Sequence, residues 1–134
     1  MDGLRLRVTS ITITAPDPRA LAGFYARLLG RPVTTEEEPR PGEPPAAGWA
    51  QIRAPEGSSE PTLNFEYEMR WKPPTWPSEP GTQNATQHLD ILVEDLDAAT
   101  DHAVEAGASL AAVQPQETVR VLLDPAGHPF CLFL

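Results

Sequence analysis

The sequence lacks the features that would assign it to several broad classes of protein. Cys131 is the only cysteine among 134 residues, which excludes an internal disulfide and a zinc cluster built from thiolates. No apolar run approaches the length of a membrane span, and the first residues lack the apolar core of a secretory signal. We therefore expect a cytoplasmic protein of one domain, since this length suits a single hydrophobic core.

Basic residues are also scarce. Ten Lys and Arg face 19 Asp and Glu, the formal net charge is -9, and Lys72 is the only lysine. Such a chain is poorly suited to bind nucleic acid or an anionic membrane, because both attract Lys and Arg. The charge favours a cationic small molecule as ligand, although it also promotes solubility.

What the sequence does contain is a repeat. Residues 88–93 alternate apolar and polar side chains, which predicts a strand, and Asp95 then begins a helix that Gly107 ends. The same order occurs 78 residues earlier, where Ser10 corresponds to His88 and Asp17 to Asp95. Two copies this short predict two modules that share one core.

Each module is predicted to have the order βαβββ, which gives an α+β fold. Module one covers residues 7–68, a linker covers 69–86, and module two covers 87–134. Predicted elements of module one are strands at 7–14, 32–35, 49–53 and 62–68 and a helix that begins at Pro18 and ends before Gly30. Predicted elements of module two are strands at 88–93, 109–113, 119–123 and 130–134 and a helix between Asp95 and Gly107.

Three segments, FYARLLG in the first helix, HLDILVEDLDAA, and DPAGHPFCL at the end, resemble the vicinal oxygen chelate superfamily, and specifically its glyoxalase-like and bleomycin-resistance-like branch. The resemblance implies a cup-shaped mixed sheet with a ligand inside it. It also implies four positions for metal ligands: Ser10, Asn64, His88 and Cys131, with Leu63 in place of Asn64 if the register slips by one. Only His88 is a standard ligand, so no complete metal site and no cofactor are expected.

The alternation of the strands places further polar residues in the cup. Parity predicts Ser10, Thr12 and Thr14 on the same face as His88, Asp90 and Leu92, together with Asn64, Glu66 and Glu68. We hypothesise that His88 is a general base beside Asp90 and Glu66, or that these three residues hold a divalent metal ion in a non-standard way. Cys131 as a nucleophile is a weaker alternative, since it would need His88 as its base.

The linker and the remaining aromatic and histidine residues supply the last candidates. Trp71 and Trp76 are predicted to close the mouth of the cup and to stack on a planar or cationic ligand, with Glu66, Glu68 and Glu79 near the positive charge. The predicted ligand-binding set is Ser10, Thr12, Asn64, Glu66, His88, Trp71, Trp76 and Cys131. Core packing is predicted for Trp49, partial burial for His102, and exposure for His128.

Three functions remain open at this point. The first is a glyoxalase-like protein that binds a small molecule, with or without a lyase, isomerase or other reaction. The second is a bleomycin-resistance-type protein that sequesters a drug without catalysis, and the third is a structural or regulatory dimer whose cup has lost its function. A homodimer is expected because edge strands at 32–35 and 109–113 would otherwise expose unpaired backbone groups.

Overall fold

The computed structural model describes residues 3–134, and its elements follow the duplicated order. The first five are β1 (Ser10–Ala15), α1 (Pro18–Leu29), β2 (Thr35–Glu37), β3 (Trp49–Ile52) and β4 (Thr62–Tyr67). The next five are β5 (Leu89–Leu92), α2 (Leu96–Ala106), β6 (Ser109–Leu110), β7 (Val119–Leu123) and β8 (Pro129–Phe133). The α+β class and the two βαβββ modules are confirmed.

The strands form two separate sheets instead of one continuous cup. Their orders are β1-β4-β3-β2 and β5-β8-β7-β6, and in each sheet the first pair is parallel while the other two pairs are antiparallel. Within the described residues no ladder joins β1 to β5, so the expected cup is divided by a gap between the modules. A cleft lies in that gap.

Several predicted strand ends were wrong, and side chains account for two of them. The edge strand begins at Thr35 and not at Pro32. Proline has no backbone N–H for a ladder, and the Thr34 hydroxyl donates to the Gln51 carbonyl oxygen at 2.9 Å and accepts from the Arg53 N–H at 3.0 Å, so side-chain bonds replace ladder bonds there. The strand predicted at 109–113 stops at Leu110. There the side-chain amide of Gln114 bonds both the N–H and the C=O of Val121, at 2.9 Å each, and so takes the place of a strand.

The helix ends match the sequence pattern in both modules. Asp17 accepts a hydrogen bond from the backbone N–H of Ala20 at 3.1 Å, and Asp95 does the same for Ala98 at 3.0 Å. Gly30 at the end of α1 has a φ of 65°, a left-handed conformation that glycine adopts without steric cost. These shared signals explain why both helices begin and end where the repeat predicts.

The two helices exchange hydrogen bonds at their C-terminal ends. Arg27 of α1 donates to the carbonyl oxygen of Ala106 in α2 at 2.9 Å, and the Nε2 atom of His102 in α2 lies 3.0 Å from the carbonyl oxygen of Leu28 in α1. His102 is exposed, so its predicted partial burial was wrong. The residue contributes a polar contact between modules rather than packing area.

A single core holds the modules together. Its largest members include Phe24 and Tyr25 of α1, Phe65 of module one and Phe130 of module two, all almost completely buried. The Phe24 and Tyr25 rings meet edge to face at 4.8 Å, and Tyr25 stacks on Phe65 at 5.7 Å. Burying each such side chain contributes roughly 1.5–3 kcal/mol, so α1 ties both sheets to one core.

Neither helix in the described part of the chain has the length and apolar character needed to cross a membrane.

Candidate functional site

The open face of module one carries two rows of polar side chains. The first row crosses the sheet through Thr14, Glu66, Trp49 and Glu37, and the second through Thr12, Asn64, Gln51 and Thr35. Leu63 is only 3% exposed and belongs to the core, so Asn64 is the residue on the open face. Its Oδ1 atom accepts a hydrogen bond from Gln51 Nε2 at 2.9 Å.

The open face of module two carries a compact group of three side chains. His88 Nε2 lies 3.2 Å from Asp90 Oδ1, and Asp90 pairs with Cys131 across the β5–β8 ladder. One donor atom from each of the three lies within 4.8 Å of the other two, a spacing that could hold a metal ion. Burial of the Cys131 thiol, together with the charge and a hydrogen bond of Asp90, raises the pKa of Cys131.

A cleft of about 650 Å³ lies between the modules. It is bounded by β1, by the start of β5 and by the segment that joins the modules, and we call it the inter-module cleft. Among its polar lining residues are Thr12, Thr14, Lys72, Asn84, His88 and His128, with Trp71 on one wall. No carboxylate side chain is among the described residues that line it.

His128 was predicted to be exposed, and this was wrong. Its Nδ1 atom lies 2.8 Å from the carboxylate of Asp124, and its Nε2 atom lies 2.9 Å from the carbonyl oxygen of Thr14. Both neighbours are hydrogen-bond acceptors, so a ring that carries two protons satisfies both contacts. Trp71 packs on the same ring at 4.8 Å. His128 therefore connects the last turn of module two to the first strand of module one.

Asp124 is the buried centre of this contact and was not among the residues predicted to be functional. It is 4% exposed and accepts hydrogen bonds from the Tyr25 hydroxyl at 2.7 Å and from the backbone N–H of Ala126 at 2.9 Å. Burial raises the pKa of Tyr25 well above its usual value, and the Asp124 charge and hydrogen bond add to the effect. The residues next to Asp124 in the chain do not predict its contact with Tyr25, because the two residues are 99 positions apart.

A second cleft of about 490 Å³ lies on the sheet of module one, and we call it the sheet cleft. Trp49 stands between Glu37 and Glu66 in register across three strands, and Glu38, Glu43 and Tyr67 also line the space. The predicted core position of Trp49 was wrong, since its ring is on the open face beside the buried Ala50. Glu66 lines this cleft and does not line the cleft of His88.

The remaining predicted residues are more dispersed. Ser10 begins β1 and lies 3.3 Å from the Thr9 hydroxyl, and Trp76 is half-buried in the segment between modules. Neither is among the described residues that line the two clefts. The carboxylate of Glu68 accepts a hydrogen bond from the backbone N–H of Arg70. The structure thus brings together His88, Asp90 and Cys131, and it separates them from Glu66.

Comparison with known proteins supports the resemblance found in the sequence. Residues 10–133 match a family model described as a glyoxalase-like domain. A comparison with curated proteins finds no match.

Three solved structures illustrate the likeness in fold. A glyoxalase family protein from Enterococcus faecalis is 20% identical, with a TM-score of 0.66 and coverage of 96% of this chain and 97% of that one. A mutant of the fosfomycin resistance protein FosX from Listeria monocytogenes, complexed with Mn(II) and 1S,2S-dihydroxypropylphosphonic acid, is 10% identical, with a TM-score of 0.69 and coverage of 97% and 93%. A glyoxalase/bleomycin resistance protein/dioxygenase family enzyme from Burkholderia phytofirmans is 17% identical, with a TM-score of 0.58 and coverage of 92% and 94%.

Proposed function

This chain belongs to the glyoxalase-like domain family, and we propose that it binds a small organic molecule in the inter-module cleft. The observation that carries the proposal is the lining of that cleft, where His88 and His128 from module two meet Thr12 and Thr14 from module one beside the Trp71 ring. A concave space with a few polar groups and one aromatic wall is typical of small-molecule sites.

The lining also restricts the charge of the ligand. Because Lys72 and two histidines are present and no carboxylate is among the described lining residues, the cleft favours a polar ligand that is neutral or anionic. The phosphonic acid in the FosX complex is a small ligand of that kind. This differs from the cationic ligand that the net charge alone favours, because the charges are unevenly distributed over the molecule.

The test is a thermal-shift screen of small carboxylates and phosphonates, followed by tryptophan fluorescence with each compound that stabilises the protein. Binding should shift the emission of Trp71, since a ligand in the cleft changes the surroundings of its ring. Trp71→Phe should remove most of the shift, and Trp76→Phe, the matched control, should keep it. If a stabilising compound shifts the emission equally in both variants, its site is not the inter-module cleft. If no compound stabilises the protein, the result favours the structural or regulatory dimer.

If the bound molecule reacts, we propose that His88 is the general base and that Asp90 orients its ring. The 3.2 Å contact lets the carboxylate orient the imidazole ring, as general-base catalysis requires. Glu66 is left out of this pair because it lines the sheet cleft. Substitution of Asp90 by Asn should then lower turnover more than it weakens binding, which steady-state kinetics would measure once a substrate is identified.

A second candidate function is the sequestration of an organic cation in the sheet cleft. The observation that favours it is Trp49 flanked by the carboxylates of Glu37 and Glu66, a pairing that suits a cation over the ring face. Titration with a quaternary ammonium compound should quench Trp49, and Trp49→Phe with Glu66→Gln should weaken binding about tenfold, roughly 1.4 kcal/mol. Trp71→Phe is the matched control and should bind normally; loss of binding there would exclude the sheet cleft.

We further propose that the protein is a cytoplasmic homodimer. Leu92 at the end of β5 is 71% exposed, and Leu110 on the edge strand β6 is half exposed, so a second copy would cover apolar surface and an unpaired edge. Light scattering at tens of micromolar should give twice the mass of the chain, and Leu92→Asp should lower it. A monomer under those conditions would contradict the proposal.

Manganese has no part in the proposed binding function. Mn(II) is a hard ion that prefers carboxylate, carbonyl and water oxygens, whereas the four expected positions hold a hydroxyl, an amide, an imidazole and a thiol. The residues of this chain at those positions do not fit the ion of the FosX complex. The imidazole of His88 and the thiol of Cys131 favour a softer ion than manganese.

A further inference from the structure

We propose that His88, Asp90 and Cys131 form a binding site for one thiophilic divalent cation of the zinc class, contained within module two. The inference goes beyond the proposed function and does not depend on it, because it concerns a metal ion and is tested with the metal alone. It also departs from the four positions that the resemblance implied. Asp90 is not one of them, and Ser10 and Asn64 of module one are not needed.

Strand geometry explains why three donors meet here. His88 and Asp90 are separated by one residue, so in an extended chain their side chains project on the same face. Cys131 lies opposite Asp90 across the parallel β5–β8 pair, which places the thiol beside the carboxylate. The result is a triangle of an imidazole nitrogen, a carboxylate oxygen and Sγ in which each donor atom lies within 4.8 Å of the others.

The kinds of donor determine which metal the site selects. Thiolate and imidazole are ligands that zinc and cobalt take readily, while magnesium, calcium and manganese prefer sites made of oxygen atoms. Three protein ligands leave one position of a tetrahedral ion open, as in catalytic zinc sites. His88 lines the inter-module cleft, so the open position lies at the edge of the space where the organic ligand is proposed to bind.

The donors are accessible and their present contacts are replaceable. The side chains of His88 and Asp90 are 49% and 59% exposed, and their 3.2 Å contact is an exposed pair that water screens. A bound cation would take a ring nitrogen of His88 and an oxygen atom of Asp90 as ligands. Metal ligation and general-base catalysis by His88 therefore exclude each other, and a metal measurement separates the two roles.

The test is titration of the metal-stripped, untagged full chain with Co²⁺ in the absence of any organic ligand. Because Cys131 is the only cysteine, a sulfur-to-cobalt charge-transfer band can arise only from that residue. We expect one cobalt per chain, visible bands of tetrahedral intensity, displacement of cobalt by zinc, and no comparable binding of Mn²⁺. Cys131→Ala should abolish the charge-transfer band, and His88→Ala and Asp90→Asn should each weaken cobalt binding by about 10- to 100-fold or more.

Gln87→Ala is the matched control, since Gln87 precedes His88 and lines the cleft but supplies none of the three donors. It should bind cobalt as the wild type does. If Cys131→Ala does not fold, Zn²⁺ should still slow the alkylation of Cys131 in the wild type and fail to do so in His88→Ala and Asp90→Asn. Absence of the charge-transfer band, or equal protection of the thiol in all variants, would overturn the inference whatever the organic ligand proves to be.

Discussion

Two hairpin turns occupy equivalent places in the repeat and have different roles. The turn between β3 and β4 is exposed from Pro55 to Pro61 and bonds mainly to itself, as in the contact from the Ser58 N–H to the Pro55 carbonyl oxygen. The turn between β7 and β8 instead contacts the other module. Its buried Asp124 accepts a hydrogen bond from the Tyr25 hydroxyl, and the Nε2 atom of its His128 lies against the Thr14 carbonyl oxygen. A duplicated fold can thus keep its strand order while only one of two matching turns connects the modules.

The largest expected effect comes from removing the buried carboxylate. Asp124→Ala leaves the Tyr25 hydroxyl and the His128 ring without their acceptor, which should lower the free energy of unfolding by about 1–3 kcal/mol for each group left unpaired. Urea denaturation would measure it. Glu56→Ala in the exposed turn is the control and should stay within about 0.5 kcal/mol of wild type. If both variants lose the same stability, the two turns do not differ as described.

A smaller effect is expected from Tyr25→Phe, which removes only the donor. The bond to a charged, buried acceptor should be worth about 2 kcal/mol at neutral pH. Because folding raises the pKa of Tyr25, its contribution is complete below the unfolded value of about 10 and is lost as the pH rises through the folded value. The wild type should therefore lose stability in alkali.

Urea melts at stepped alkaline pH would show that decline, and Tyr25→Phe should flatten it. Tyr67→Phe is the control, since Tyr67 lies half-buried at the end of β4. An alkaline decline that is unchanged in Tyr25→Phe would mean that another group causes it.

The smallest expected effect concerns the helix caps, a feature that the two modules share. Asp17→Ala and Asp95→Ala each remove one helix cap with nearly the same bond length, 3.1 and 3.0 Å, so each should cost about 1 kcal/mol. Asn at either position should restore most of the loss, because its side-chain oxygen also accepts the bond. Thermal unfolding of the four variants would measure this, and clearly unequal losses would show that the modules differ even in their local signals.

The features that the sequence predicted are those that depend on neighbours in the chain. Caps at Asp17 and Asp95, the ends of both helices, and the face on which Asn64 lies all follow from spacing. The errors concern distant contacts. His128 is half-buried because Thr14 and Trp71 come to it from outside its own module, and Trp49 lies on the face of its strand opposite the buried Ala50, where it lines the sheet cleft.

The candidate site shows the same division. Parity predicted His88, Asp90 and Glu66 on open faces, and it could not show that the first two belong to one sheet and the third to another. One long-range feature had a trace in the sequence. FYARLLG and DPAG supported the resemblance together, and the Tyr25 hydroxyl of the first donates to the Asp124 carboxylate of the second.

The exchange of bonds between the two helix ends has a consequence for how the chain comes apart. Arg27 satisfies a carbonyl of α2 and His102 satisfies one of α1, so a half-chain on its own would leave its last helical turn without those partners. A chain cleaved in the segment between modules should stay associated and retain its circular dichroism, whereas each purified fragment should be largely unstructured. Despite its internal duplication, the intact molecule should then melt in one cooperative transition, with no intermediate in which one half is folded and the other is not.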